Sequence, residues 1–594
     1  MSSDNSINFQ VPPNNPESSD TRRIKNNLLF PSLKAHVIKR SRDATRTKLR
    51  LMNRSIEIDK YYDDDVVTTL SEEFFDRVRV KPLIGDIIRA FTTAIKRKSL
   101  KSTEFIQIAV KRIVSKERIS RSDISELTKI TPVYGNNLIP FMNGGPAGEN
   151  WNKAPNGFYD WIDNKSQDSI LGIELGFKAD DYGREVSRKL IEKKKSNPNM
   201  YISLLIDGFV SLLMQKPPTS LETFEINTLR IIRDMREVGI NVYVNDSWNP
   251  LSSDFLAANH IKLWIFDGEV GFFGGIGIES QFRKLLYDEM DLVQGPFVRL
   301  LTTMALLIMT NQKNQADLHD NIKQFHEMQK QELEELFLKN GTKEGDVTLK
   351  LSMNIPGYIQ DSQRDYIELL SRDDVHEIYI MAPYFSDDKV ARALVKAAER
   401  LRDRLANEKK DQVKMRSNKM SRKQIRQIVN NELENEKRIH VVFPKKQENL
   451  IIEEISRYYA YYLRKNPVVE TRQFYAEINS EKYEMLHAKQ MVVVLRNVEK
   501  KWTKYVKFGG SYNPAGRAHN MWEVNALMFN GLWQESDEND SDAAIIQNPV
   551  KNYLDNVMKV VVSQYSEPFP WGNINVKIPL WRRVIMRLAQ LLWF

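Results

Sequence analysis

The sequence contains no cysteine. Disulfides, thiol nucleophiles and thiolate metal sites are therefore excluded, and the redox compartment is left open, because a chain without Cys is indifferent to it. Long apolar runs are missing too: no stretch approaches the roughly 20 residues that span a bilayer. The opening MSSDNSINFQVPPNNPESSD lacks the apolar core of a secretory signal. The expectation is a cytoplasmic protein that touches a membrane at most peripherally. Histidine is scarce, at eight residues in 594, and none shows metal-ligand spacing. No metal and no other cofactor is expected.

What is present is a chain too long for one ordinary domain. With 41% hydrophobic and 28% charged residues, its composition allows a large core. Lys and Arg (87) exceed Asp and Glu (78), for a net charge of +9. A basic surface suits an anionic partner: nucleic acid, an anionic membrane face or a phosphorylated substrate. A solvated surface with a mild basic bias accounts for the charge equally well.

Composition and periodicity divide the chain. Residues 1–25 are rich in Ser, Asn and Pro and read as disordered. Residues 26–130 read as a helical region, with Leu83, Ile87, Ile88 and Phe91 at helical spacing. Strands and helices then alternate, which implies an α/β sheet. Strands are expected at Ser169–Leu175, Tyr201–Ile206 and Asn241–Val244, with helices at Arg184–Lys195 and Leu221–Val238. The order recurs with strands at Glu377–Ala382 and Arg438–Phe443 and a helix from Asp388. Two similar halves, 131–340 and 341–565, follow from this duplication. Residues 399–437 form a charged insertion in the second half, read as a solvated helix pair. In the tail, 566–594, Leu580, Trp581, Val584, Ile585, Leu588, Leu591 and Leu592 fall on one helical face. Arg582, Arg583, Arg587 and Gln590 fall on the other. Such a helix lies in a membrane interface or docks on the protein's own core.

Two histidines have matched settings. His260 and Lys262 are followed by Asp267 and by Gly274-Gly275; His487 and Lys489 are followed by Gly509-Gly510-Ser511-Tyr512-Asn513. Residues i and i+2 of a strand share a face, so each His projects beside its Lys. A buried ammonium next to an imidazole is poor core design. It suits phosphate: Lys supplies charge, and His a nucleophile or a proton. One such triplet means little, but two at a separation of 227 residues carry weight.

The two segments resemble the HxKxxxxD motifs of the phospholipase D superfamily, and their surroundings resemble its bacterial cardiolipin synthase-like branch. The first motif is complete in His260, Lys262 and Asp267. In the second, Val494 stands where the family has Asp. Gly277 stands where the family usually has Asn, whereas Asn513 keeps it. Arg517, Asn520 and Glu523 continue the second motif, and Ala382-Pro383-Tyr384-Phe385 resembles the strand end that opens the second half. The resemblance covers roughly 136–532. It implies two phospholipase D-type α/β sandwich domains related by a pseudo-two-fold axis, flanked by the helical N-terminal region and the amphipathic C-terminal helix. It also implies a phosphohistidine on His260, with His487 as acid and base. Lys262, Lys489, Asn513 and Ser511 would hold the phosphate. Asp288 and Glu523 would orient the histidines, with Asp291 the rival of Asp288. Asp267, counted with the catalytic motif, would tie down the loop behind the first His-Lys pair.

Phospholipid is then the expected substrate, hydrolysed or transferred, with the tail as a membrane contact. A nuclease of the same fold is the alternative, favoured by the charge of +9 and by the basic insertion. A catalytically degenerate, membrane-binding scaffold is the third. Because both motifs sit on one chain, a monomer suffices for a complete site.

Overall fold

The computed structural model describes residues 133–144, 156–207, 224–245, 259–310, 347–355, 359–416, 420–445, 450–475, 477–478, 481–483, 485–497, 499, 502–515, 521–530 and 548–569. The expected disordered start, the helical region 26–130, Arg517, Asn520 and the amphipathic face of the tail lie outside these residues.

Two arrays of strands carry the fold. In the first, β2 (Ser169–Glu174), β3 (Tyr201–Asp207) and β4 (Asn241–Asn245) run parallel. Antiparallel to β2 comes β5 (Lys262–Phe266), followed by β6 (Val270–Gly274), β7 (Leu286–Gln294) and β1 (Val133–Gly144). The second array starts with parallel β10 (Val375–Met381), β11 (Ile439–Pro444) and β12 (Val469–Phe474). It continues antiparallel through β16 (Gln490–Asn497), β17 (Trp502–Gly510), β18 (Glu523–Asn530) and β8 (Val347–Ile355). Strand for strand, the two arrays have one order and one set of directions.

Short pieces complete them. Strand β9 (Ile359–Gln360) folds back on β8, β13 (Glu477–Ile478) and β14 (Glu481–Lys482) form a hairpin, and β15 (Met485–Leu486) lies parallel to β7. Residues Ser566–Pro568, counted with the tail from the sequence, form β19 beside β12. The arrays join at β1, which pairs with both β7 and β8.

The central strands are apolar along their length because both faces are covered. Every residue of β2 and β3 is buried. One core takes the inner residues of both arrays, including Ile173, Leu263, Met381, Val492 and Val494. Helices cover the outer faces. On the first array these are α1 (Phe158–Asp160, continued by Trp161–Lys165), α2 (Asp181–Ser196) and α3 (Phe224–Glu237). Helix α2 starts where Asp180 accepts hydrogen bonds from the amides of Tyr182 and Gly183, satisfying two orphan donors. It buries Tyr182, Val186 and Leu190 and ends in Lys193, Lys194 and Lys195, cations that complement the helix dipole. The short α4 (Ser280–Lys284) precedes β7, and α5 (Pro296–Thr310) packs into the shared core.

On the second array the outer helices are α6 (Asp361–Leu370), α7 (Asp388–Arg416), α8 (Arg422–Glu434) and α9 (Leu450–Arg464). A final helical segment, α10 (Pro549–Gln564), enters the shared core through Val550, Tyr553, Leu554 and Val557. The charged insertion is a pair of helices. The crossover helix α7 runs on through it for 29 residues, against 16 for α2. Its distal part pairs with α8 through buried Leu401, Leu405, Val429 and Leu433. Lys409 also bridges to Glu432 (3.4 Å) and Glu436 (3.2 Å).

Candidate active site

Both HxK triplets lie at the seam between the arrays, at the carboxyl ends of the parallel strands. Lys262 is in register with Glu174, the last residue of β2. Gln490, next to Lys489, is in register with Met381, the last residue of β10. Each triplet is anchored by the other half. The His260 amide donates to the Trp522 carbonyl at 2.9 Å, and the His487 amide donates to the Tyr287 carbonyl at 2.7 Å. Trp522 and Tyr287 each immediately precede a candidate carboxylate.

That connectivity crosses the carboxylates over. Asp288 follows the first motif in sequence, yet its Oδ2 lies 2.5 Å from Nδ1 of His487. Glu523 follows the second motif, yet its Oε1 lies 3.4 Å from Nδ1 of His260. In both histidines Nδ1 faces a carboxylate, and at His487 the Lys489 Nζ also lies 2.7 Å from Nδ1 and 3.4 Å from Nε2. The rival Asp291 is engaged elsewhere, in a buried ion pair with Lys507.

The group is buried but not sealed: both histidines and Asn513 are 7% exposed, and Lys262 and Lys489 are 2% and 3% exposed. Each lysine folds back on its own histidine, Lys262 Nζ donating to the His260 carbonyl at 3.0 Å and Lys489 Nζ to the His487 carbonyl at 2.5 Å. Lys489 also lies 3.6 Å from Asp288. Asn513 Oδ1 and Ser511 Oγ are buried without a hydrogen-bond partner. Both sit in the turn after β17, where Gly510 has φ +142°, a backbone that favours glycine.

Burial and the neighbouring cations dominate the electrostatics. Burial, with Lys262, Lys489 and His487, holds His260 well below the ordinary imidazole value. His487 is also lowered, by burial and by Lys489, but Asp288 opposes the shift. Burial brings Lys489 down to about 7 and lowers Lys262. Burial pushes the Asp288 carboxyl up, but Lys489 and His487 outweigh it and hold it below the usual carboxylate range. Glu523 goes the other way, raised well above that range by burial despite Lys262 and Asn354. The His487–Asp288 pair is thus the better proton holder on its imidazole, and the His260–Glu523 pair keeps its imidazole neutral.

Asp267 is not brought to this site, which corrects its place among the catalytic candidates. It sits beyond the far end of β5 at φ +51°. Its carboxylate accepts from the amides of Gln167 (2.8 Å), Asp168 (2.9 Å) and Ser169 (2.8 Å), fixing the start of β2. In the second half β16 runs to Asn497, so Val494 lies within the strand. It faces the shared core, where an aspartate would be a buried charge without a partner.

The sequence reading missed several residues around the motifs. Glu174 is 1% exposed and accepts from Trp264 Nε1 at 2.5 Å. Glu279 pairs with Lys178. Both contribute to the field at Lys262. Asn354 donates to Glu523 Oε2 at 2.9 Å and accepts from the Ser362 amide at 3.1 Å. Ser362 Oγ takes Asn525 at 2.8 Å, and Asn525 holds the Tyr512 amide at 2.7 Å beside Asn513. A lone Glu at the end of the apolar run SILGIEL was the available signal for Glu174. Asn354 gave none, because a polar residue at a strand end is ordinary. Among the described residues, no cluster of His, Cys, Asp and Glu could hold a metal ion, and no helix is long and apolar enough to cross a membrane.

No known family profile matches the sequence. Two curated sequences are similar to part of it: cardiolipin synthase 1 of Bacillus cereus and cardiolipin synthase 1 of Bacillus anthracis. Each is 28% identical over 111 residues, 18% of this chain and 18% of the relative. The match therefore spans less than a fifth of those relatives' length. Among solved structures, phosphatidylserine synthase from Haemophilus influenzae aligns over 81% of this chain and 97% of its own, with a TM-score of 0.45 and 12% identity. Polyphosphate kinase from Porphyromonas gingivalis aligns over 77% and 55%, with a TM-score of 0.34 and 10% identity.

Proposed function

We propose that this chain is a phosphodiesterase of the phospholipase D type, which hydrolyses or transfers phosphatidyl groups through a phosphohistidine. The observation that carries the reading is the crossed pair of buried triads, His260–Glu523 with Lys262 and His487–Asp288 with Lys489. Each half supplies the carboxylate of the other half's histidine, so the two motifs form one site, and a pseudo-two-fold axis between the halves accounts for it. The 111-residue similarity to cardiolipin synthases points the substrate class to phospholipid.

In this mechanism His260 Nε2 attacks phosphorus. Its ring is held neutral by burial and the neighbouring cations, and with Nδ1 turned to Glu523 the lone pair for attack is on Nε2. His487 Nε2 gives its proton to the leaving alkoxide as the P–O bond breaks. Water or a second alcohol then loses a proton to His487 and attacks phosphorus, and the His260–P bond breaks. Lys262, Lys489 and Asn513 stabilise the charge that builds on the non-bridging oxygens, with Ser511 beside them. Asp288 accepts from Nδ1–H of His487 and stabilises the imidazolium whose Nε2–H is given to the leaving group.

The test incubates the full chain with mixed phospholipid vesicles and a primary alcohol, beside His260→Ala. Phosphatidyl alcohol from the unmodified chain alone supports the reading; absence of product from every lipid rejects phospholipid as substrate. Nucleic acid is the second reading, favoured by residues 409–426, where eight Lys and Arg and one Asp give +7 of the chain's +9. Its mark is cleavage of single-stranded or duplex nucleic acid that falls steeply with salt.

A further inference from the structure

The two halves differ where a pair of matched motifs would both hold phosphate. After β17 the second half carries Ser511 and Asn513. At the corresponding turn after β6 the first half has Gly275 and Gly277. Space accounts for both. A Cβ on Gly275 would lie 2.0 Å from Asp288 Oδ1, so the carboxylate that serves His487 fills the room of a serine. A Cβ on Gly277 would lie 3.1 Å from Phe282 Cε2, so an amide there would displace the Phe282 ring. That ring, in α4 and 5% exposed, stands 5.2 Å from His487 at 75°. Tyr384, from the other half, stands 6.1 Å from it at 87°. Edge-to-face contacts at such distances are favourable and orienting.

We propose that Phe282 is a positioning residue for His487, occupying the volume of the missing first-half amide. Together with Asp288 and Tyr384 it fixes the imidazole so that Nε2 faces the leaving oxygen. The inference rests on the role proposed above for His487 as proton donor. Its consequence is a division of labour. The second half supplies the uncharged phosphate donors, Asn513 and Ser511, while the first half uses the same position to hold the acid. Phe282 also keeps that side of His487 dry. The charged groups facing the ring are Asp288, Lys489 and Lys262, none of them on α4, so removing Phe282 changes hydration and leaves those charges in place.

The experiment compares Phe282→Ala, Phe282→Leu, Phe282→Tyr, Gly277→Asn and the double variant Gly277→Asn/Phe282→Ala in the full chain. The His487 titration is read by NMR of labelled histidine, assigned with His487→Gln, alongside kcat and KM on a phospholipid. With water admitted, the His487 pKa should rise in Phe282→Ala. Its kcat should fall at least about tenfold, a share of the 10²–10⁴ that a placed general acid contributes, with KM within about twofold. Phe282→Tyr should behave as the unmodified chain. Gly277→Asn should lose activity that the double variant partly regains. Unchanged titration and kcat in Phe282→Ala would overturn the inference. Should Phe282→Ala fail to fold, the same outcome in Phe282→Leu would do so. A shifted titration in a chain that turns over no phosphodiester would support the positioning role and reject the functional reading.

Discussion

Among single residues, two histidines have one kind of neighbour and different fields. His260 must be neutral to attack, and it is held well below the ordinary value, so its limb of the pH profile lies at low pH. His487 must be protonated to act as the acid, and its own value is lowered. Lys489 must be charged to bind phosphate and loses its proton at about 7. Since kcat/KM reports groups of the free enzyme, it should rise through the His260 limb, peak on the acid side of neutrality and then fall. The fall should be steeper than one proton, because His487 and Lys489 are both lost. A pH–rate series checks this, and an alkaline optimum would contradict it. These residues were legible in the sequence because HxK recurs. Their pairing was not, because Asp288 and Glu523 each follow the motif they do not serve. Only the seam between the halves brings Asp288 to His487 and Glu523 to His260.

Among the elements, periodicity placed five strands, each within two residues of its observed ends. Strands β3 and β4 each run one residue beyond the expected segment, because continuous apolar runs bounded by polar residues leave little choice. The insertion 399–437, expected as a solvated helix pair, does form a pair, joined by an apolar stripe that its charge obscured, and its first helix is the continuation of α7. That helix starts near Tyr384, which lies against His487. At about 1.5 Å per residue its 29 residues carry the far end roughly 40 Å away. The basic tip, with exposed Met415, is thus remote from the site. Helix α8 begins with a capping box, Ser421 and Gln424 each bonding the other's backbone. Ser421→Ala should destabilise this arm by about 1 kcal/mol, seen as faster amide exchange in α8. Turnover of a short-chain phospholipid should stay as it was; a fall would mean the arm acts on the site.

At the scale of the whole molecule, the halves are locked together by more than apolar packing. A buried polar group bridges them: Lys507 of β17 pairs with Asp291 of β7, and Tyr553 of α10 donates to Glu289 of β7. Lys507 also lies 4.1 Å from the centre of the Tyr553 ring. Burial raises Glu289 to about 8, against opposing effects of Lys507 and Tyr553. A carboxyl with a raised folded-state pKa stabilises the fold fully below its unfolded value, near 4.5. That contribution is lost as pH rises towards 8. Melting temperature should therefore drop between about pH 5 and 8, and Glu289→Gln should flatten that slope; an equal slope in the variant would exclude this origin. The mixed α/β class was visible in the sequence. The crossing of ladders between halves was not, because local pattern says nothing about which strand a two-residue segment such as β15 will join. The proposed mechanism depends on that crossing: in it His260 of the first half is the nucleophile, and His487, oriented by Asp288, is the acid. The most direct measurement incubates the full chain and His487→Ala with a phosphodiester bearing a good leaving group. Quenching at alkaline pH and peptide mass spectrometry then locate any phosphoryl adduct. The expected result is an adduct on the His260 peptide, accumulating in His487→Ala because its resolution is slowed. An adduct on His487 in the unmodified chain, or turnover with His260→Ala, would contradict it.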